Sequence, residues 1–208
     1  MISIVDYGAG NILSIEQALR KFDVRVEVTT DPETVLLSDA VVLPGVGAFG
    51  EGMSKLKGRG LDRALCEASA AGTPLLGICL GMQLLFESST EFGFNQGLGL
   101  IPGQVDRLVV GSGTRLPHVG WNSIDKTVHC DEVGSLLGNT HDGEDLYFVH
   151  SYCALPSNLS HLLAECNYGG TRFAAVVRNE NVYGCQFHPE KSGEAGLSIL
   201  HNFINLKK

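Results

Sequence analysis

The chain has 208 residues and a formal net charge of −8, with 26 glycines, about an eighth of its length against a usual ~7%. One domain with a sizeable core, spanning residues 1–208, is expected at this length. The acidic balance, with no basic stripe interleaved with aromatics, argues against nucleic-acid binding, and no apolar run reaches the ~20 residues of a membrane-spanning helix.

Ile2-Ser3-Ile4-Val5 opens the chain as a buried strand, leaving no room for a signal peptide, so a cytoplasmic protein is expected. Ile12, Leu13, Ile15, Ala18, Leu19 and Phe22 then fall on one face of a helix. Residues 25–29 alternate with Val26 and Val28 on one side, and Asp31-Pro32 starts a helix with proline at its first position. Residues 40–43 are a β-rich run ending in the loop Pro44-Gly45-Val46-Gly47-Ala48-Phe49-Gly50, whose glycines let backbone N–H groups approach a ligand. A helix over 61–71 leads to a buried strand over 73–78. This alternation predicts an α/β protein, an open, mainly parallel twisted sheet flanked by helices on both faces.

After about Gln104 the pattern changes to shorter strands, over 105–110, 120–124, 146–150, 162–167, 172–178 and 181–186, with a hairpin at Asn179-Glu180-Asn181. Residues 192–206 form a closing helix with Ala195, Leu197, Ile199, Leu200, Phe203 and Ile204 as its apolar set. The second half therefore adds antiparallel strands. It returns His188 to the C-terminal edge of the sheet, where open α/β sheets bind ligands.

Two segments carry the chemistry. In Pro74-Leu75-Leu76-Gly77-Ile78-Cys79-Leu80-Gly81-Met82-Gln83 a buried run ends at a cysteine with a glycine two residues away on either side, and a helical pattern follows at once. That is the strand, sharp turn and helix of a nucleophile elbow, with cysteine in the place of serine. The first helix amides lower the cost of a thiolate and can donate to an oxyanion. In Phe187-His188-Pro189-Glu190, the histidine and glutamate are two apart, so on a strand they share a face. His188 is then the base for Cys79, and Glu190 holds the imidazole tautomer. A buried cysteine in such a turn is by itself compatible with plain packing, as the glycine loop is with a plain turn. Gln83, one helical turn after Cys79, is placed to face the same pocket.

Six cysteines (Cys66, Cys79, Cys130, Cys153, Cys166, Cys185) lack Cys-x-x-Cys spacing, so no disulfide framework is expected. His188 and Glu190 have a spacing found in metal sites, but no Cys or His pair stands nearby in sequence. No metal and no cofactor are predicted.

Both chemical segments resemble the class I, or triad, glutamine amidotransferases, over essentially the whole chain and without departure in the catalytic motifs. Within that family, Asp6-Tyr7-Gly8-Ala9-Gly10-Asn11, the loop at 44–50, Leu80-Gly81-Met82-Gln83-Leu84-Leu85-Phe86, Pro117-His118-Val119-Gly120-Trp121-Asn122 and Phe148-Val149-His150-Ser151-Tyr152 are similar to the glutaminase subunits of imidazole glycerol phosphate synthases.

The resemblance implies a Cys79-His188-Glu190 triad that hydrolyses L-glutamine. It implies an oxyanion hole from Gly45, Val46 and Gly47 on one side and the Leu80 amide on the other. Gln83 and the backbone of His150, Ser151 and Tyr152 would meet the substrate. Asn11, His118, Trp121 and Lys191 would face a cyclase partner, a (β/α)₈ barrel, in a heterodimer. Read without the resemblance, Asn11 is equally a helix cap, Lys191 a solvated charge, Trp121 a packing plug and 150–152 a packed strand end. Glutaminase activity without the partner would waste glutamine, so the isolated chain is expected to be nearly inactive and the loop at 45–46 to reorganise on activation. The alternatives are an amidotransferase serving a different synthase, a stand-alone cysteine hydrolase, and a non-catalytic binding subunit, the last disfavoured by the presence of all three triad residues.

Overall fold

The computed structural model describes residues 1–130 and 135–206. The first half runs β1 (Ile2–Val5), α1 (Ile12–Leu19), β2 (Val26–Thr29), α2 (Pro32–Leu36), β3 (Ala40–Leu43), α3 (Phe49–Gly58), α4 (Leu61–Ala70), β4 (Leu75–Ile78), α5 (Leu80–Leu84), β5 (Phe86–Ser89) and β6 (Asn95–Gln96). The second half runs β7 (Ile101–Arg107), β8 (His118–Lys126), β9 (Glu144–His150), β10 (Tyr152–Pro156), β11 (Leu162–Tyr168), β12 (Thr171–Asn179), β13 (Val182–Cys185) and α6 (Gly193–Ile204).

The main sheet has nine strands in the order β2-β1-β3-β4-β13-β12-β11-β8-β9. The run from β2 to β13 is parallel; β12, β11, β8 and β9 extend it by antiparallel pairing. The hairpin expected at 179–181 joins β12 to β13, with Asn179 opposite Val182 and Glu180 at φ +53°. The parallel strands β1, β3, β4 and β13 are buried throughout, as strands covered on both faces must be.

Side-chain alternation splits the core into two. Ile4, Val42 and Leu76 share one cluster with Ile15 and Leu19 of α1 and Ile199, Leu200 and Phe203 of α6. Val5, Val41 and Leu75 share the other with Met53, Leu56 and Leu65 of α3 and α4. Asp31 caps α2 as the sequence suggests, its carboxylate accepting from the amides of Glu33 and Thr34, both at 3.2 Å.

The structure departs from the expected pattern in several places. Leu13 is 64% exposed and lies off the buried face of α1, and Val28 is 37% exposed because β2 is an edge strand. Helix α3, the short strands β5 and β6, and a second sheet ordered β10-β7-β5-β6 were not anticipated. The expected strand at 105–110 begins earlier, at Ile101, and belongs to that second sheet. Val105, Ile101 and Ala154 of this sheet complete the core on the α3 and α4 side.

Candidate active site

β4 lies between β3 and β13 and runs parallel to both, so the chain that leaves its C-terminal end must turn sharply to clear the sheet. Cys79 makes the turn with φ +55° and ψ −111°, a conformation that L residues adopt only when their surroundings impose it. Its N–H donates to the Cys185 carbonyl at 2.8 Å, and its carbonyl accepts from the Gln83 amide at 3.2 Å, opening α5. The flanking glycines are required by contact. A Cβ on Gly77 would lie 2.6 Å from the Gly81 carbonyl oxygen, and one on Gly81 would strike the carbonyl oxygen of Leu43. Gly45 is equally confined, since its Cβ would stand 2.5 Å from the Tyr7 hydroxyl and 2.8 Å from the Gly81 nitrogen.

β13 pairs with β4 so that Cys185 is opposite Ile78, and the segment after β13 therefore leaves the sheet beside Cys79. The His188 N–H donates to the Tyr147 carbonyl at 2.9 Å. Ser192 Oγ donates to the His188 carbonyl at 2.7 Å and accepts from the Tyr147 amide at 3.0 Å, fastening 188–192 to β9. His188 and Glu190 do not share a strand face as expected. Pro189, with its fixed φ and no N–H, starts a single 3₁₀ turn over Pro189–Lys191. The Glu190 carboxylate nonetheless curls back to meet the ring, Oε1 lying 2.9 Å from His188 Nδ1.

The Glu190 side chain is wholly out of solvent, and the His188 side chain nearly so. Burial pulls the imidazole pKa down, but the nearby Cys79 sulfur and the Glu190 carboxylate outweigh it and hold the value up to about 9. His188 Nε2 is buried and forms no hydrogen bond among the described residues. Burial raises the thiols of Cys66, Cys153 (to about 11), Cys166 (to about 12) and Cys185 (well above its ordinary value), which disfavours their thiolates.

A cavity of about 270 Å³ opens above Cys79. It is lined by Val46, Gly47, Leu80, Gln83, His150, Ser151 and Tyr152 of the expected residues, and by Glu91 and Val149 besides. Gly45 lies behind this wall against Tyr7, and His188 and Glu190 are not among the residues that line the cavity. Among the described residues, the amides of Gly45, Val46, Gly47 and Leu80 have no acceptor.

The wall at 150–152 is fixed from within. Gln83 Nε2 donates to the Tyr152 carbonyl at 2.9 Å and to Gln186 Oε1 at 3.0 Å, and His150 Nδ1 lies 2.9 Å from the same carbonyl. His150 Nε2 lies 3.1 Å from His118 Nδ1, and burial lowers the His150 pKa to about 3, so its ring is neutral and committed on both nitrogens.

The expected partner-facing set divides. His118 is buried, not on the surface: it stacks on Tyr168 with ring centroids 3.9 Å apart and bonds to Asn122 at 2.7 Å. The reason is the pleat of β8, which turns His118 inward while Val119 and Trp121 face out. Trp121 is 54% exposed and meets Tyr147 edge-on, and Lys191 Nζ stands 5.8 Å from the same Tyr147 ring. Asn11 occupies the N-cap position of α1; its side chain accepts from Ser14 Oγ at 2.9 Å and does not bond the helix amides.

Besides Val149, two residues at the site escape the sequence reading. Glu91 follows an unrecognised strand, where no pattern marks it; its Oε2 accepts from the Phe49 amide at 2.7 Å. Gln186 is buried at the end of β13, and a polar residue two before His188 in a buried run was the available signal. Among the described residues no helix is long and apolar enough to cross a membrane.

Residues 3–206 match the family model described as glutamine amidotransferase class-I. The chain is 44% identical to imidazole glycerol phosphate synthase subunit HisH 1 of Legionella pneumophila, over 99% of each chain. It is 44% identical to the chloroplastic imidazole glycerol phosphate synthase hisHF of Arabidopsis thaliana, covering all of this chain and 34% of that one. A crystal structure of a glutamine amidotransferase superposes with a TM-score of 0.72 at 17% identity, over 99% of this chain and 98% of the other, which bears on the fold alone. The chain belongs to the class I glutamine amidotransferases and, within them, to the HisH subunits of imidazole glycerol phosphate synthase.

Proposed function

We propose that the chain, acting as one glutaminase domain over residues 1–208, hydrolyses L-glutamine to glutamate and passes the ammonia to a (β/α)₈-barrel cyclase. The pair makes imidazole glycerol phosphate and aminoimidazole carboxamide ribotide in the histidine pathway, in the cytoplasm. The observation that carries this reading is Cys79 on a strained elbow lining a cavity, backed by the buried His188–Glu190 pair.

Glutamine enters with its side-chain amide toward Cys79. The carboxylate of Glu91 suits the substrate ammonium, and the unpaired amides at 45–47 and at Leu80 suit the oxyanion. The thiol proton passes to His188 Nε2, and the thiolate attacks the amide carbon. The tetrahedral intermediate collapses as His188 returns the proton to the departing ammonia. Water, losing a proton to His188, then cleaves the thioester to glutamate and restores the thiol. Throughout, Glu190 keeps Nδ1 protonated and stabilises the imidazolium.

Ammonia in water is largely protonated near neutrality and then not nucleophilic, so the consuming enzyme gains from direct transfer. The Arabidopsis relative, in which the matching region is part of a longer synthase chain, supports a cyclase held beside this domain. The exposed Trp121 and Lys191, grouped around the half-buried Tyr147, adjoin the triad through Tyr147, whose ring centroid is 6.5 Å from that of His188, and suit such contact.

The test is glutamate release from glutamine by the purified chain alone, then with the cyclase and its ribotide ligand. Strong stimulation in the full mixture is expected. Equal turnover in both would make the chain an independent cysteine hydrolase, and silence in both would direct it to a different synthase.

A further inference from the structure

Gln186 is fully buried, and its neighbours dictate which way its amide points. The Tyr152 carbonyl only accepts hydrogen bonds, so the Gln83 atom 2.9 Å from it is the amide nitrogen. His150 Nδ1 occupies the same oxygen at 2.9 Å as a second donor. Gln83 Nε2 also lies 3.0 Å from the Gln186 side chain, so the atom it meets there is Oε1. This leaves Gln186 Nε2 turned to Cys79, 3.8 Å from Sγ, within hydrogen-bonding range of sulfur.

We propose that Gln186 is a further catalytic residue of the glutaminase: its amide N–H donates to the Cys79 sulfur and favours the thiolate, while Gln83 and Tyr152 lock that N–H in place. The proposal rests on Cys79 being the nucleophile. In the thiol state Sγ–H points to the Val149 carbonyl at 3.8 Å, a contact that turns repulsive once the proton has gone to His188. The Gln186 bond instead strengthens with ionisation, since donors bond charged acceptors more strongly. No proton moves on Gln186. As the sulfur's charge passes to the carbonyl oxygen of the substrate, the bond weakens again, so Gln186 assists ionisation and not the attack itself. The other titratable groups around Cys79 are His188 with Glu190 behind it, Tyr7 beneath Gly45, Cys185 on β13, and Glu91, His150 and Tyr152 on the cavity wall, and a change at Gln186 replaces none of them.

The experiment follows Cys79 alkylation by iodoacetamide against pH on the full chain, resolved by peptide mass spectrometry, in the natural protein, Gln186→Leu and Gln186→Glu. Removing the donor should raise the alkylation midpoint by about one pH unit and slow the reaction about tenfold below it. The glutamate variant, near in shape and presenting a carboxylate to the sulfur, should raise it further, and it carries the test if the leucine variant does not fold. With the cyclase and its ligand, the acid limb of kcat/KM should move by the same amount while the alkaline plateau holds. Unmoved midpoints in both variants overturn the proposal. Loss of turnover in Cys79→Ala alongside unmoved midpoints would reject Gln186 alone, whereas turnover surviving in Cys79→Ala would reject the nucleophile itself.

Discussion

His188 and Glu190 meet across a single 3₁₀ turn, Nδ1 to Oε1 at 2.9 Å, with the carboxylate shut away from solvent. A buried carboxylate in this position fixes one ring nitrogen as a donor and leaves the other for proton exchange, as the triad proposed for this site requires. Glu190→Gln keeps the shape but removes the charge that supports an imidazolium. Glutamine turnover by the complex should fall on the order of 10²- to 10⁴-fold, with KM changed far less. Steady-state kinetics at saturating cyclase ligand checks this; a loss under tenfold would remove Glu190 from the triad.

Stability should decline on both sides of neutrality. His188 is raised from 6.5 to about 9, so the folded state binds its proton more tightly than the unfolded chain does. That contribution is complete below about pH 6.5 and is lost as pH climbs through about 9. His150 is lowered from 6.5 to about 3, so the unfolded chain binds that proton first and stability falls as pH drops from about 6.5 toward about 3. Thermal melting across this range should show a maximum near neutrality, and His150→Gln should flatten the acid side.

The elbow tolerates no side chain at Gly81, where a Cβ would strike the Leu43 carbonyl oxygen. Gly81→Ala should lose about 3 kcal/mol or more, through forced backbone movement, together with activity. Gly58, exposed at the end of α3 with open space at its Cβ, gives the contrast. Gly58→Ala should gain roughly 0.5–1 kcal/mol and leave turnover unchanged. Urea unfolding of both variants separates close packing from mere glycine content.

Cys79→Ala should abolish glutamine turnover while leaving cyclase binding within about threefold of the natural affinity, because Cys79 lies on the cavity floor and not on the exposed cluster of Trp121 and Lys191. Titration calorimetry against the cyclase, run beside the glutamate assay, measures both. A binding loss as large as the activity loss would place Cys79 in the interface.

The parallel strands and the elbow were legible because their signals are local: β4 is a continuous apolar run, and glycines at 77 and 81 report a contact that no other residue permits. The position of His188 at the same sheet edge followed from strand order. The 3₁₀ turn at Pro189 was not legible, since His-x-Glu spacing fits a strand or a turn equally and the decision lies in the bonds of Ser192 to β9. The burial of His118 was hidden for a related reason: a histidine reads as polar until Tyr168, Phe148 and His150 are seen around it. The second sheet escaped because β5 and β6 are short, and β5 pairs with β6 on one side and β7 on the other in a register that sequence alone does not mark.

β13 is inserted between β4 and β12, and Gln186 stands 107 residues beyond Cys79 in the chain. On the ribosome Cys79 therefore emerges long before His188. Until residues 182–190 have been made and threaded beside β4, Cys79 has neither the Cys185 carbonyl that pins its amide nor the His188 imidazole. The late, long-range strand pairing that completes the sheet is therefore also the step that brings Cys79, His188 and Glu190 together.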